Sequence, residues 1–221
     1  FSVFAFSRIK PHPHAVKEKV ESIYESLTVG LRFVFKNEEM LGAITLDLLA
    51  VLFGGAVALL PVFASDILHV GPEGLGFLRA APFLGSVLMG LFLAYNPPLK
   101  NAGRNLLIAV GLFGLATIGF ALSTSFILSF VMLFFTGAFD NVSVVIRQTI
   151  LQVMTPNEMR GRVSSVNQIF ISSSNEIGAF ESGVAAKLMG TVPSVVFGGC
   201  MTLLVVSGMG LFAKKLRKMK L

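Results

Sequence analysis

Four runs of this chain, residues 48–65, 80–99, 105–139 and 188–213, contain no charged side chain. A helix needs about 20 mostly apolar residues to cross the hydrocarbon core of a bilayer. The run from Asn105 to Phe139 is 35 residues long, so it holds most of two spans, with Ser123-Thr124-Ser125 as the turn between them. Only 14% of residues are charged and 54% are hydrophobic, where a soluble domain carries about 25% charged residues. Mean hydropathy is +0.79. There is too little polar surface to cover the chain in water, and in lipid each backbone amide must be paired within its own segment. The expected fold class is all-α: a polytopic membrane protein with a six-helix transmembrane bundle.

The expected division is residues 1–7, 8–38, 39–213 and 214–221. The opening FSVFAFS has no Met and no basic residue before it, and reads as the end of a truncated span rather than a signal peptide. Residues 8–38 form a linker. From Val16 onward, Val20, Ile23, Leu27, Leu31 and Val34 recur every three or four residues, which predicts an amphipathic helix on the membrane surface or against the span ends. The six spans are expected near 40–64, 74–95, 105–122, 126–154, 164–189 and 193–213. The tail KKLRKMK follows.

The basic residues set the orientation. Six Lys/Arg in 8–36, then Lys100, Arg104, Arg160 and Arg162, and five in the tail all fall on one side if the spans alternate. The other side has only Lys187, with Arg79 and Arg147 inside spans. By the positive-inside rule the linker and C-terminus are expected in the cytoplasm. The net charge of +6 is therefore a topology signal, and no nucleic-acid partner is expected.

Enzymatic chemistry has no candidate site. Cys200 stands alone, which excludes a disulfide framework and offers no metal set. His12 and His14 lack any nearby Cys or carboxylate and read as solvated loop residues. GPEGLG at 71–76 lacks the Lys and the soluble strand-helix context of a phosphate loop. No cofactor and no metal are expected.

The stretch from Asp140 to Glu181 is the exception to the apolar pattern. It carries Asp140, Arg147, Gln168, Asn175, Glu176 and Glu181. Ionisable groups inside hydrocarbon cost several kcal/mol unless they face a partner or a water-filled cavity. Glu176 lies about 20 Å along its span, near the midplane, beside Ser172, Ser173, Ser174 and Asn175. It is either a proton-titrating or cation-contacting carboxylate, or one neutralised by Arg147 or Arg79. Glu181 lies about 140° further round the helix, away from that site. Asp140 is the second candidate for substrate or proton handling. Arg147, seven residues on, is expected to pair with a loop carboxylate. Asp47, within two turns of its span's end, is expected to snorkel to water. Gly178, Ser182, Ala186 and Gly190 recur every four residues, as in close helix packing. Asp47 and Asp140 open corresponding groups of three spans, the trace an inverted 3+3 repeat leaves.

Three segments carry a resemblance. SLTVGLRFVFKNEEMLGAI, LLPVFASDILHVGPEGLGFLRAAPFLGSVLMG and QVMTPNEMRGRVSSV resemble the second half of twelve-span bacterial major facilitator superfamily transporters. The last has the loop form P-x-E-x-R-G-R-V. The nearest subgroup is the drug:proton antiporter type that includes the enterobactin exporter and transmembrane secretion effectors. The resemblance implies that 1–7 end the sixth span and 8–38 form the central cytoplasmic loop. It implies that spans seven and ten line a cavity, eight and eleven move against the other half, and nine and twelve face lipid. Glu158, Arg160 and Arg162 would then form a cytoplasmic gating network with Arg147. Lys100 and Arg104 would belong to the counterpart loop, whose usual acidic residue is absent.

The expectation is a secondary exporter of the bacterial inner membrane. Inward proton movement would drive efflux of an amphipathic drug or siderophore. Its partners would be a further six-span half, in the same polypeptide or a second chain, the bilayer, the small-molecule substrate and protons. An uncoupled facilitator and a non-transporting six-span scaffold or accessory subunit are the alternatives.

Overall fold

The computed structural model describes residues 23–220, and all regular structure among them is helical. The expectations for 1–7, for His12 and His14, and for the linker up to residue 22 lie outside the described residues.

Helix α1, Ile23–Lys36, is the amphipathic helix of the linker. Its inward stripe is rotated from the expected one. Leu27, Phe33 and Val34 pack into the core while Leu31 is exposed. Gly30 is on the inward side as well, where a Cβ would lie 3.0 Å from the Arg162 carbonyl and from Val166.

The first span is interrupted. Helix α2, Glu38–Phe53, stops at Gly54. A 3-10 turn Ala56–Leu59, a single α-turn Leu60–Val62 and a π-turn Phe63–Ile67 carry the chain to the far side. Five further helices follow: α3 Pro72–Tyr95, α4 Ala102–Ala121, α5 Phe126–Met154, α6 Arg160–Met189 and α7 Thr191–Phe212. The short α8, Lys214–Lys218, ends the described chain. Local chemistry sets the boundaries. Pro72 opens α3 after Gly71, where its lack of an amide hydrogen costs nothing. Thr155 before Pro156 is extended because the ring disfavours helix at the preceding residue. Gly190 at φ 91 ends α6, a conformation that favours glycine.

Five stretches among the described residues are long and apolar enough to cross a membrane: Glu38–Ile67, Pro72–Tyr95, Ala102–Ala121, Phe126–Met154 and Thr191–Phe212. Helix α6 is also long, at 30 residues, but its central Gln168 and Ser172–Glu176 make it too polar to qualify. The six expected spans are thus five apolar stretches and one polar helix packed among them.

The second helix of each triplet crosses to the other triplet: α3 packs on α5, and α6 on α2. Likewise α4 lies on α5, α7 lies on α2, and α4 and α7 meet. Exchanging α2–α4 with α5–α7 maps these pairings onto one another, whereas α6 also packs on α7 with no comparable packing of α3 on α4. Close approach joins α3 to α5, where Gly85 abuts the Phe134 carbonyl and Gly137 the Pro82 carbonyl, with no room for a Cβ on either. Beside them Asn141 Nδ2 donates to Ser86 O at 3.0 Å and to Ser86 Oγ at 2.6 Å. Beyond Arg104 in its first turn, helix α4 exposes a stripe of apolar residues, Ile108, Leu112 and Leu115, and buries most of its remaining surface.

Candidate functional site

Asp47 and Arg147 meet in the interior. Arg147 Nη1 pairs with Asp47 Oδ1, and the two residues are 3% and 6% exposed, Arg147 the lower. This corrects two expectations. Asp47 does not snorkel, and Arg147 is held by a span carboxylate rather than one from a loop. The cause is the packing of α2 on α5, which brings the second half of α2 beside the last third of α5. An ion buried in low dielectric is tolerated only when paired, so each residue finds the other.

Above this pair a small cavity of about 10 Å³ is lined by Asp47, Asp140 and Ser143, with apolar walls from α2, α4 and α5. That is room for about one water. Ser143 is buried, and its Oγ has no hydrogen-bond partner among the described residues; nor has Arg147 Nε. On its other side Asp140 lines a cleft of about 390 Å³. The Gly54–Gly55 break and Val57 form one wall, Phe113 of α4 another, and Asn175 and Ala179 of α6 the third. Asp140 therefore stands where the cleft meets the buried seam leading to Asp47 and Arg147. It makes no hydrogen bond or ion pair among the described residues.

The break shapes the cleft. A Cβ on Gly54 would lie 2.6 Å from Ala50 O and from the Phe113 ring. One on Gly55 would lie 2.7 Å from Ser182 Oγ and 3.1 Å from Gly178 O. Gly178 in turn sits against the Val51 and Leu52 carbonyls. Two adjacent glycines weaken the helix by about 1 kcal/mol each and let α6 approach the interrupted backbone. Interrupted helices at membrane depth are tolerated where the backbone is buried in protein or lines a cavity. The packing role expected of Gly178 and Ser182 is thus observed.

The other candidate residues are distributed differently. Glu176 is exposed and is not joined to Arg147 or Arg79. Gln168 is exposed and donates to Ser172 Oγ at 3.4 Å; Asn175 Nδ2 donates to Ile171 O at 3.0 Å. Glu181 is half-buried and does not line the cleft. Glu158, Lys100 and Arg104 are exposed and make no ion pair among the described residues. Arg160 Nη2 donates to Gln152 O at 3.3 Å, tying the loop back to α5. Phe113, Ser143 and the Gly54–Gly55 break are not recognised in the sequence. Only the glycine pair carries a local signal, as a breaker inside an apolar run. Phe113 lies on a span read as lipid-facing, and only the tertiary packing brings its ring to the cleft.

A family model described as transmembrane secretion effector, one of the major facilitator families, matches residues 1–221. The chain belongs to this family. It is also 28% identical over 196 residues to the uncharacterized MFS-type transporter YfmI of Bacillus subtilis (strain 168). That match covers 81% of this chain and 47% of the relative, so the chain spans about half the length of the curated relative it matches. No solved structure matches. As a secretion effector family member the chain is a multi-pass membrane protein of a transporter superfamily.

Proposed function

We propose that this chain forms one bundle of a secondary transporter that works by alternating access. Proton entry would drive export of an amphipathic small molecule, with Asp140 as the coupling carboxylate. The observation that carries this reading is the contrast between two acids. Asp47 is neutralised by Arg147, whereas Asp140 faces a cleft and has no ionic partner among the described residues. An acid so placed can lose its proton to a water-filled cleft and regain it without breaking a structural pair. The reading moves Asp140 ahead of Glu176, which lies outside the cleft. The exposed side of α6, with Gln168, Ser172, Asn175 and Glu176, is too polar for lipid. That supports a second bundle covering it across a polar cavity.

The test is proton-driven efflux by the complete protein in inverted membrane vesicles. Asp140→Asn is expected to lower coupled efflux at least about tenfold, equivalent to about 1.4 kcal/mol, while Glu176→Gln keeps most of it. Undiminished efflux in Asp140→Asn would sink the coupling assignment. Efflux that survives collapse of the pH gradient in the wild type would favour the uncoupled facilitator.

A further inference from the structure

We propose that the groove between α8, the start of α2 and the end of α5 binds the phosphate headgroup of an anionic phospholipid. The groove has a volume of about 630 Å³. Lys214, Lys218 and Lys220 line it, over a floor that includes Val153 and Met219. These three lysines have no ion-pair partner among the described residues. The fourth, Lys215, is engaged by Glu38, Nζ to Oε1 at 2.7 Å, and the Glu38 carboxylate holds its ammonium above the ordinary lysine range. Counting Glu38 and Glu39 against the four lysines leaves a charge of 4 − 2 = +2 around the groove.

The lysines are presented by a docked element rather than a free tail. Leu216 of α8 is 1% exposed and packs against Gly42 and Gly103, the latter so closely that a Cβ would not fit. Gly103 N donates to Met219 O at 3.4 Å. Arg217 Nη1 donates to Gly210 O at 3.0 Å, capping the last turns of α7. The positive-inside rule requires only the count of basic residues near the span ends. It does not require that they be fixed around a concavity.

The chemistry of the floor identifies the occupant. Val153 is 66% exposed at the end of a membrane-spanning helix, and Met219 lies beside it in the groove. A free phosphate would satisfy the ammoniums and leave these apolar groups in water. A phospholipid satisfies both, with its phosphate among the lysines and its glycerol and upper acyl carbons over Val153. Basic pockets at the ends of spans are suited to such headgroups. The inference rests on the membrane reading of the chain and is independent of what the cleft carries.

The test uses the protein purified from its membrane and placed in phosphatidylcholine bilayers with or without phosphatidylglycerol of the same acyl chains. Retained lipid is counted by native mass spectrometry, and melting temperature is followed in parallel. Phosphatidylglycerol is expected to be retained and to raise the melting temperature, and phosphatidylcholine to do neither. The triple variant Lys214→Gln, Lys218→Gln, Lys220→Gln is expected to lose at least about tenfold in apparent affinity. Arg32→Gln, which removes an exposed charge outside the groove, should retain it. Equal retention of the two lipids, or a triple variant that binds like the wild type, would overturn the proposal. So would inorganic phosphate alone reproducing the stabilisation, since the site would then be a plain anion site. If the triple Gln variant fails to fold, the triple Arg variant and the wild-type comparison of the two lipids decide.

Discussion

Arg147 and Asp47 hold one another by a balance that substitution exposes. Both are withdrawn from water, so removing one leaves the other charged and alone, at a cost of about 3–5 kcal/mol. Asp47→Ala or Arg147→Ala is therefore expected to lower the melting temperature of the purified protein sharply. The paired change Asp47→Leu with Arg147→Met should restore most of it, because well-packed apolar residues replace a buried pair with little loss. If the double variant melts as low as the singles, the pair has a role beyond mutual neutralisation. That both residues lie within spans was legible in the sequence; that they are partners was not. Asp47 sits nine residues into α2, a position from which a carboxylate could reach water. What decides its direction is a guanidinium 100 residues away on another helix.

The interrupted first span and the polar α6 make the cleft together. Each alone breaks a rule: α2 breaks off mid-membrane, and α6 puts serines, an amide and a carboxylate where lipid would be expected. Packed together, the small residues Gly55, Gly178 and Ser182 allow the contact, and the polar groups line or flank a cavity. Gly178→Leu would drive a side chain into the Val51 and Leu52 carbonyls. It is expected to destabilise by about 1–3 kcal/mol or more through overpacking, seen as a lower melting temperature and a loss of transport. Gly183→Leu, on the same helix where an added Cβ would meet nothing within 4 Å, should fold normally. Equal melting temperatures for the two variants would remove the close-packing account. Small-residue spacing could be read from the chain, but its partner element could not, since α2 and α6 are separated by more than 100 residues.

At the scale of the whole bundle, the cleft must open to water if it carries a solute. Cys200 is the sole cysteine of this chain, so labelling uses Cys200→Ser with any cysteine of the complete protein replaced as well. Ala179→Cys in the cleft wall is expected to react with a membrane-impermeant thiol reagent in intact membranes. Leu115→Cys, on the exposed apolar stripe of α4, should stay unlabelled. Reaction at Leu115→Cys with none at Ala179→Cys would mean that α4, rather than the cleft, faces water. The same bundle explains why α4 and α7 read as uniformly apolar. One face of each meets its neighbours and another is exposed, and both carry the same apolar residue types, so composition does not distinguish them.

The chain by itself determined its all-helical class and most of its long apolar helices. Those properties follow from hydrocarbon length, obligatory backbone pairing and the segregation of charge, all of which act within a segment or at its ends. The loop P-x-E-x-R-G-R-V and its companions also carried the family resemblance. Tertiary structure alone decided which buried charges neutralise one another, that Asp140 is left facing a cleft, and that Phe113 and the Gly54–Gly55 break form the walls. Pairing energy and cavity shape depend on distances of a few ångströms between distant parts of the chain. No local pattern encodes them until the helices have packed.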